Sequence, residues 1–159
     1  NKYQEGIILN SNTKTSFDDT LNDYINNEIK LYEKEMESIN IQNALSHILN
    51  IVSRTNKYID ETSPWVLYKE EKYEELKSVM YNLYESIRKI SILFYPFIPE
   101  TSNNIYNQLG LKESETTYES LTNIPDITNN KVIEKGIPLF ERLDANVETD
   151  RLVELMKTC

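Results

Sequence analysis

Cysteine occurs once in this 159-residue chain, at its last position, and histidine occurs once, at position 47. A lone thiol, Cys159, excludes an internal disulfide and any site built from several thiolates, and it fits a reducing compartment. A lone His47 excludes paired-histidine metal sites, including the two Glu-x-x-His pairs that a di-iron helical bundle requires. Long hydrophobic runs are missing: the longest, over residues 90–98, is interrupted by Ser91 and Pro96 and is too short to span a bilayer. There is no Gly-x-x-x-x-Gly-Lys phosphate loop, no nucleotide-binding glycine triplet and no His-Glu-x-x-His pair. The opening Asn1-Lys2-Tyr3-Gln4 has neither a starting methionine nor the apolar stretch of a secretory signal, so residue 1 is expected to be a cut point and the location cytoplasmic.

Positive charge is also in short supply. Seventeen Lys and Arg face 26 Asp and Glu, a net charge of −9, and such a field repels a nucleic-acid backbone at long range. Any RNA contact must therefore be local. With 39% hydrophobic and 27% charged residues, the chain is too apolar to stay disordered and too polar for a membrane protein, and its length suits one ordinary domain.

The three glycines stand at 6, 110 and 136 and the five prolines at 64, 96, 99, 125 and 138, so residues 14–63 contain neither helix breaker. Long helices are the natural consequence. Ser16, followed three residues later by Asp19, resembles a capping box that opens a first helix with an apolar stripe of Phe17, Leu21, Ile25, Ile29, Tyr32 and Met36. Asn40 caps a second, with Ile41, Ala44, Leu45, Ile48, Leu49, Val52 and Ile59 on one face and its end at Thr62-Ser63-Pro64. Proline suits a first helical position, so a short helix over 64–69 follows and Trp65 sits at a corner. A long helix over 73–95 carries Leu76, Val79, Met80, Leu83, Ile87, Ile90 and Phe94, and a shorter one over 99–109 turns Ile105 and Leu109 inward and stops at Gly110. Residues 111–130 are rich in Ser, Thr, Asn and Glu and read as a long surface connection. Val132-Ile133 and 137–140 read as short extended pieces around Gly136. A last helix over 147–157 has Leu152, Leu155 and Met156 on one side and is expected to dock on the bundle. The expected architecture is all-α: a helical bundle over residues 1–110, then a connecting loop, extended pieces and a C-terminal helix over 111–159.

Catalytic chemistry finds little support, because no nucleophile stands near a base in sequence. His47 falls just off its apolar stripe and reads as a boundary residue held by a neighbour. The acidic pairs Asp18-Asp19, Glu70-Glu71 and Glu74-Glu75 read as solvated helix surfaces, the last two where helix starts favour negative charge. The informative stretch is Asn56-Lys57-Tyr58-Ile59-Asp60-Glu61-Thr62-Ser63-Pro64-Trp65. Asn56 lies on or beside the buried stripe, where its amide would hydrogen-bond a neighbouring helix and hold the corner. Trp65 is either a core plug or an indole projecting from the corner to stack on a flat ligand such as an unpaired RNA base. Spacing alone leaves both open.

At these residues the chain resembles a known family. Asn-Lys-Tyr-Ile-Asp-Glu-Thr-Ser-Pro-Trp-Val-Leu, from Asn56 onward, is similar to the signature of the anticodon-binding helical domain of bacterial methionyl-tRNA synthetase, a class I aminoacyl-tRNA synthetase. Asn1-Lys2-Tyr3-Gln4-Glu5-Gly6 resembles the end of that domain's first helix, and Phe94-Tyr95-Pro96-Phe97-Ile98-Pro99 its later helix break. Pro138-Leu139-Phe140-Glu141-Arg142-Leu143-Asp144 is similar to a Leu-Phe-Pro-Arg-Ile-Asp-like segment, with Glu141 in place of the usual proline.

The resemblance implies an anticodon-recognition part of an ATP-dependent methionine–tRNA ligase, without the His-Ile-Gly-His-like and Lys-Met-Ser-Lys-Ser-like motifs of its catalytic half. No catalytic residue and no cofactor is expected in this chain, ATP with Mg²⁺ belonging to the parent enzyme. The expected partners are the anticodon loop of methionine tRNA and the catalytic domain of the same polypeptide. The family's stacking role falls on Trp65, with Pro64 setting its direction, and further anticodon-binding roles fall on Asn56, Asp60 and Arg142. An Asn and an Arg of the family's first helix would lie upstream of Asn1, so that helix is expected to be truncated and the uncovered apolar side chains to favour self-association. The alternatives are the anticodon-binding domain of another class I synthetase and a helical protein-interaction scaffold.

Overall fold

The computed structural model describes residues 5–132, 136, 138–140 and 144–157. Within them the chain forms α1 (Asp18–Glu37), α2 (Ile41–Thr62), α3 (Pro64–Lys69), α4 (Tyr73–Phe94), α5 (Pro99–Leu109) and α6 (Ala145–Lys157). Helices α1 and α2 form a hairpin, α4 packs against both, and α3 and α5 lie against α4. The all-α expectation holds.

Scarcity of glycine has a visible consequence at the helix ends. Three of them close with the same pair of backbone bonds: Asn40 N–H to Glu35 O with Ile39 N–H to Met36 O, Lys72 N–H to Leu67 O with Glu71 N–H to Tyr68 O, and Leu111 N–H to Tyr106 O with Gly110 N–H to Asn107 O. This closure puts one residue in the left-handed region. Glycine fills that place only at Gly110 (φ 66°), where a side chain would run into the carbonyl of Lys131, while Ile39 (φ 58°) and Glu71 (φ 59°) take it at the other two.

Leu21, Ile25, Ile29 and Tyr32 of α1 are buried, as their spacing predicts, with Phe17 at the rim. Helix α1 begins without a side-chain cap bond, and in place of the expected Ser16–Asp19 pair the structure joins Thr15 to Asp18. Asp18 turns inward and its carboxylate accepts from the Thr15 backbone N–H (2.9 Å) and hydroxyl, Ser78 Oγ (2.7 Å) and the Tyr58 hydroxyl (2.7 Å). Asp19 instead pairs with Lys14 at the surface. In α2 the buried face is Ala44, Ile48, Ile51, Thr55, Tyr58 and Thr62, rotated from the expected stripe, and Ile41 and Leu49 are exposed. Burying the threonines is inexpensive, because Thr55 and Thr62 donate their hydroxyls to the carbonyls of Ile51 and Tyr58 one turn back.

Helix α4 is enclosed on most sides. Besides Leu76, Val79, Ile92 and Leu93 it buries Asn82, Glu85, Arg88 and Lys89, while Ile87, expected inside, is exposed. Arg88 is fully buried, and its five N–H donors are all used. Nε and Nη2 reach the two oxygens of Glu85 (2.7 and 2.8 Å), Nη1 the Glu115 carbonyl (2.6 Å) and Ser120 Oγ (2.7 Å), and Nη2 also the Ser120 carbonyl (2.9 Å). Burial lowers the pKa of the neighbouring Lys89, whose ammonium faces Glu85 at 3.7 Å.

Residues 111–130 are therefore more than the surface connection their composition suggests. They form two short 3₁₀ turns, Glu113–Glu115 and Tyr118–Leu121, bury Leu121 and Ile127, and clasp Arg88. The chain then pairs with the N-terminal segment: Ile7 bridges Lys131 in antiparallel fashion, and Ile8 packs with Tyr84, Leu109 and Ile127. Ile133 and Ile137 lie outside the described residues. Helix α6 departs from expectation in the other direction. Leu152, Leu155 and Met156 remain 58, 54 and 79% exposed, so these described residues of its apolar side are not buried on the bundle.

Candidate nucleic-acid interface

The corner between α2 and α3 is made by three consecutive residues with different jobs. Thr62 is buried and ends α2. Ser63 adopts a left-handed conformation (φ 44°, ψ 64°), its N–H bonded to Ile59 O at 2.9 Å and its hydroxyl donating to Asp60 O at 2.9 Å, which redirects the chain sharply. Pro64 takes the first position of α3, where its fixed φ fits and its missing N–H costs nothing. Because Pro64 and Leu67 are the residues of this six-residue helix that face the core, the neighbouring position 65 must face away from it.

Trp65 accordingly keeps 51% of its surface exposed, which excludes the core-plug reading. Val66 and Tyr68 on the same helix and Tyr73 at the start of α4 are also exposed. The rings of Tyr68 and Tyr73 meet edge to face, with centroids 6.2 Å apart and planes at 74°. The sequence reading missed this pair. The three-residue step from Trp65 to Tyr68 signals only that those two share one side of α3; nothing in the local spacing places Tyr73 against Tyr68.

Asn56 corrects a second expectation. It is exposed, with Thr55 as the buried polar residue of that turn, and its amide has no hydrogen-bond partner among the described residues. It does not fasten the corner. Asp60 is exposed one turn further on, so Asn56 and Asp60 share the outer face of α2 about 6 Å apart along its axis, leading to Trp65. Pro64 is buried beneath. Arg142 lies outside the described residues, as do Asn1 to Gln4 and Cys159.

Charges around the corner nearly cancel. Arg54 bonds Glu61 at 3.0 Å, Lys57 approaches the same carboxylate at 3.6 Å, and Lys72 pairs with Glu70 at 2.8 Å. The bond to Glu70, with the attraction of its charge, raises the pKa of Lys72. His47 is held as expected: its Nδ1 lies 2.8 Å from a Glu28 oxygen that also accepts from Asn50. Among the described residues no group of three or more His, Cys, Asp or Glu could hold a metal, and no helix is long and apolar enough to cross a membrane. The site offers exposed rings, an amide and a carboxylate over a rigid corner, which suits stacking and edge recognition better than bond-breaking chemistry.

The bundle has close counterparts among solved structures. The apo crystal structure of Mycobacterium tuberculosis methionyl-tRNA synthetase superposes with a TM-score of 0.79 over 90% of this chain and 29% of that one, at 20% identity. The structure of that enzyme bound by methionyl-adenylate gives 0.77 over 88% and 28%, at 19% identity. These establish the fold class, a helical bundle. The model of the anticodon binding domain of methionyl tRNA ligase matches residues 9–151, and the chain belongs to that family. Curated relatives agree: it is 44% identical to the methionine–tRNA ligase of Listeria innocua over 99% of its own length, and 45% identical to those of Halalkalibacterium halodurans and Bacillus subtilis over 98 and 93%. The chain spans about a quarter (24%) of the Listeria innocua protein.

Proposed function

We propose that this domain recognises the anticodon loop of methionine tRNA as part of an ATP-dependent methionine–tRNA ligase in the cytoplasm, and that Trp65 stacks on an exposed anticodon base. The observation that carries the reading is the indole held outward at the α2–α3 corner, with Pro64 and Leu67 buried beneath it. Asn56 and Asp60 on the approach to it supply polar groups for a base edge, and the family resemblance gives Arg142 a further anticodon-binding role. In this reading the bundle is the anticodon-binding unit, residues 111–159 tie it to the rest of the polypeptide, and ATP with Mg²⁺ is handled by the catalytic part of the parent chain. The exposed apolar side of α6 suits contact with that part, and in the isolated domain the same side favours self-association.

The test is a titration of the domain against fluorophore-labelled stem-loops differing only in the anticodon, followed by the anisotropy of the RNA label. A CAU loop should bind most tightly, and Trp65→Ala should weaken it by roughly 5- to 100-fold with helical content intact. Equal binding of all loops, or an unchanged affinity in the folded variant, would remove Trp65 from the role.

A further inference from the structure

We propose that Tyr68, braced by Tyr73, forms a second stacking platform that takes the RNA base next to the one on Trp65. This rests on the reading of Trp65 above and extends the site from one unpaired nucleotide to two consecutive ones.

The first argument is placement. Trp65 and Tyr68 stand three residues apart on α3, so their Cβ atoms are about 5–6 Å apart on one side of the helix, a spacing that two adjacent unstacked bases of a single strand can span. Both rings are about half exposed, at 51 and 42%. The second argument is rigidity. Helix α3 is held from below by Pro64 and Leu67 and closed at both ends by left-handed residues, Ser63 and Glu71. Tyr73, itself 48% exposed, meets Tyr68 edge to face at 6.2 Å and fixes its ring from the α4 side. A ring already fixed loses little freedom when a base lands on it.

The third argument is charge. The net charge of −9 and the local pairing of Lys57 with Glu61 and Lys72 with Glu70 leave little attraction for phosphates. Affinity must then come from uncharged contacts. Stacking on an aromatic ring is a contact with single-stranded RNA that does not depend on phosphate neutralisation and is tolerant of base identity. Two platforms rather than one are what an acidic surface needs to hold a loop.

The experiment uses the intact chain and a CAU stem-loop carrying 2-aminopurine in turn at each loop position beside the anticodon base on Trp65. Tyr68→Ala should weaken binding by roughly 5- to 100-fold, abolish the quenching of one probe position, and leave the salt slope unchanged. Tyr68→Phe should bind like the parent, and Tyr73→Ala should lose less than Tyr68→Ala. Tyr68→Leu keeps apolar packing without the ring and reads the same loss should the alanine variant unfold. Parent-like binding by Tyr68→Leu while Trp65→Ala is impaired overturns the second platform and leaves the first in place. A loss in Tyr68→Phe equal to that in Tyr68→Leu overturns stacking in favour of the hydroxyl. Absence of any effect at Trp65 and Tyr68 alike, or no binding of the stem-loop, overturns both readings.

Discussion

The hydroxyl of Tyr58 on α2 donates to the carboxylate of Asp18 at the start of α1 across 2.7 Å, a bond spanning 40 residues of sequence. It ties the turn of α2 that precedes the Trp65 corner to the first turn of α1, at the open end of the helical hairpin. Burial, with the hydrogen bond and charge of Asp18, pushes the Tyr58 pKa well up, so the phenol stays a donor at all ordinary pH.

Asp18→Asn should lower stability by about 2–4 kcal/mol at pH 7, because an amide cannot accept all four bonds and one polar group is left buried without a partner. The effect has a pH signature. Burial alone would raise the Asp18 pKa, but the hydrogen bonds from Thr15, Ser78 and Tyr58 outweigh it and hold the carboxyl below its usual value. A depressed folded-state pKa contributes stability that is present above the unfolded value, about 3.9, and is lost as pH falls through the folded one. Urea unfolding at pH 7 and pH 3 should therefore show the gap between parent and variant narrowing in acid.

Arg88→Lys should cost about 3–5 kcal/mol, since lysine has three donors where Arg88 uses five and lacks the planar fork, leaving part of the acceptor set on Glu85, Glu115 and Ser120 without a donor. Hydrogen exchange should locate the loosening in residues 113–121 before it spreads to α1 and α2.

Ile39→Gly should raise stability by about 0.5–1 kcal/mol. The isoleucine is 81% exposed, so little packing is lost, and a β-branched side chain at φ 58° is strained in a way glycine is not. The reverse holds at the third closure: Gly110→Ala should destabilise, because its Cβ would overlap the Lys131 carbonyl. Thermal melts of the two variants should shift in opposite directions.

Trp65→Ala and Leu67→Ala, two positions apart on α3, should differ sharply. The first should change stability by less than about 1 kcal/mol and the second reduce it by about 2–4 kcal/mol, since Leu67 is buried and Trp65 is half exposed. A large loss of stability in Trp65→Ala would place its indole in the core and contradict the outward orientation.

Much of the fold is legible along the chain. The α1 stripe, the ends of α3 and α5, and the corner at Pro64 follow from local rules: proline suits the first helical position, glycine accepts a left-handed cap, and apolar residues at spacings of three and four share a face. The misreadings share one cause. In α2, two threonines with self-satisfied hydroxyls occupy the inner face and leave Leu49 outside, so hydrophobicity alone points the helix about its axis incorrectly and carries Asn56 inward with it. In 111–130, polar composition hides a segment whose Glu115 carbonyl and Ser120 carbonyl and hydroxyl complete the shell of a buried arginine.

The sequence by itself determined where helices begin and stop to within about two residues, that this chain holds no thiol pair or histidine pair, and that the single tryptophan would stand at a bend, because these depend on neighbours a few bonds away. Tertiary structure decided which way α2 is rotated, that Trp65 faces solvent beside Tyr68, and that Arg88 is buried. Those outcomes depend on which distant groups supply hydrogen bonds and which faces compete for the same interior, and periodicity along one helix carries no information about the helix that will lie against it.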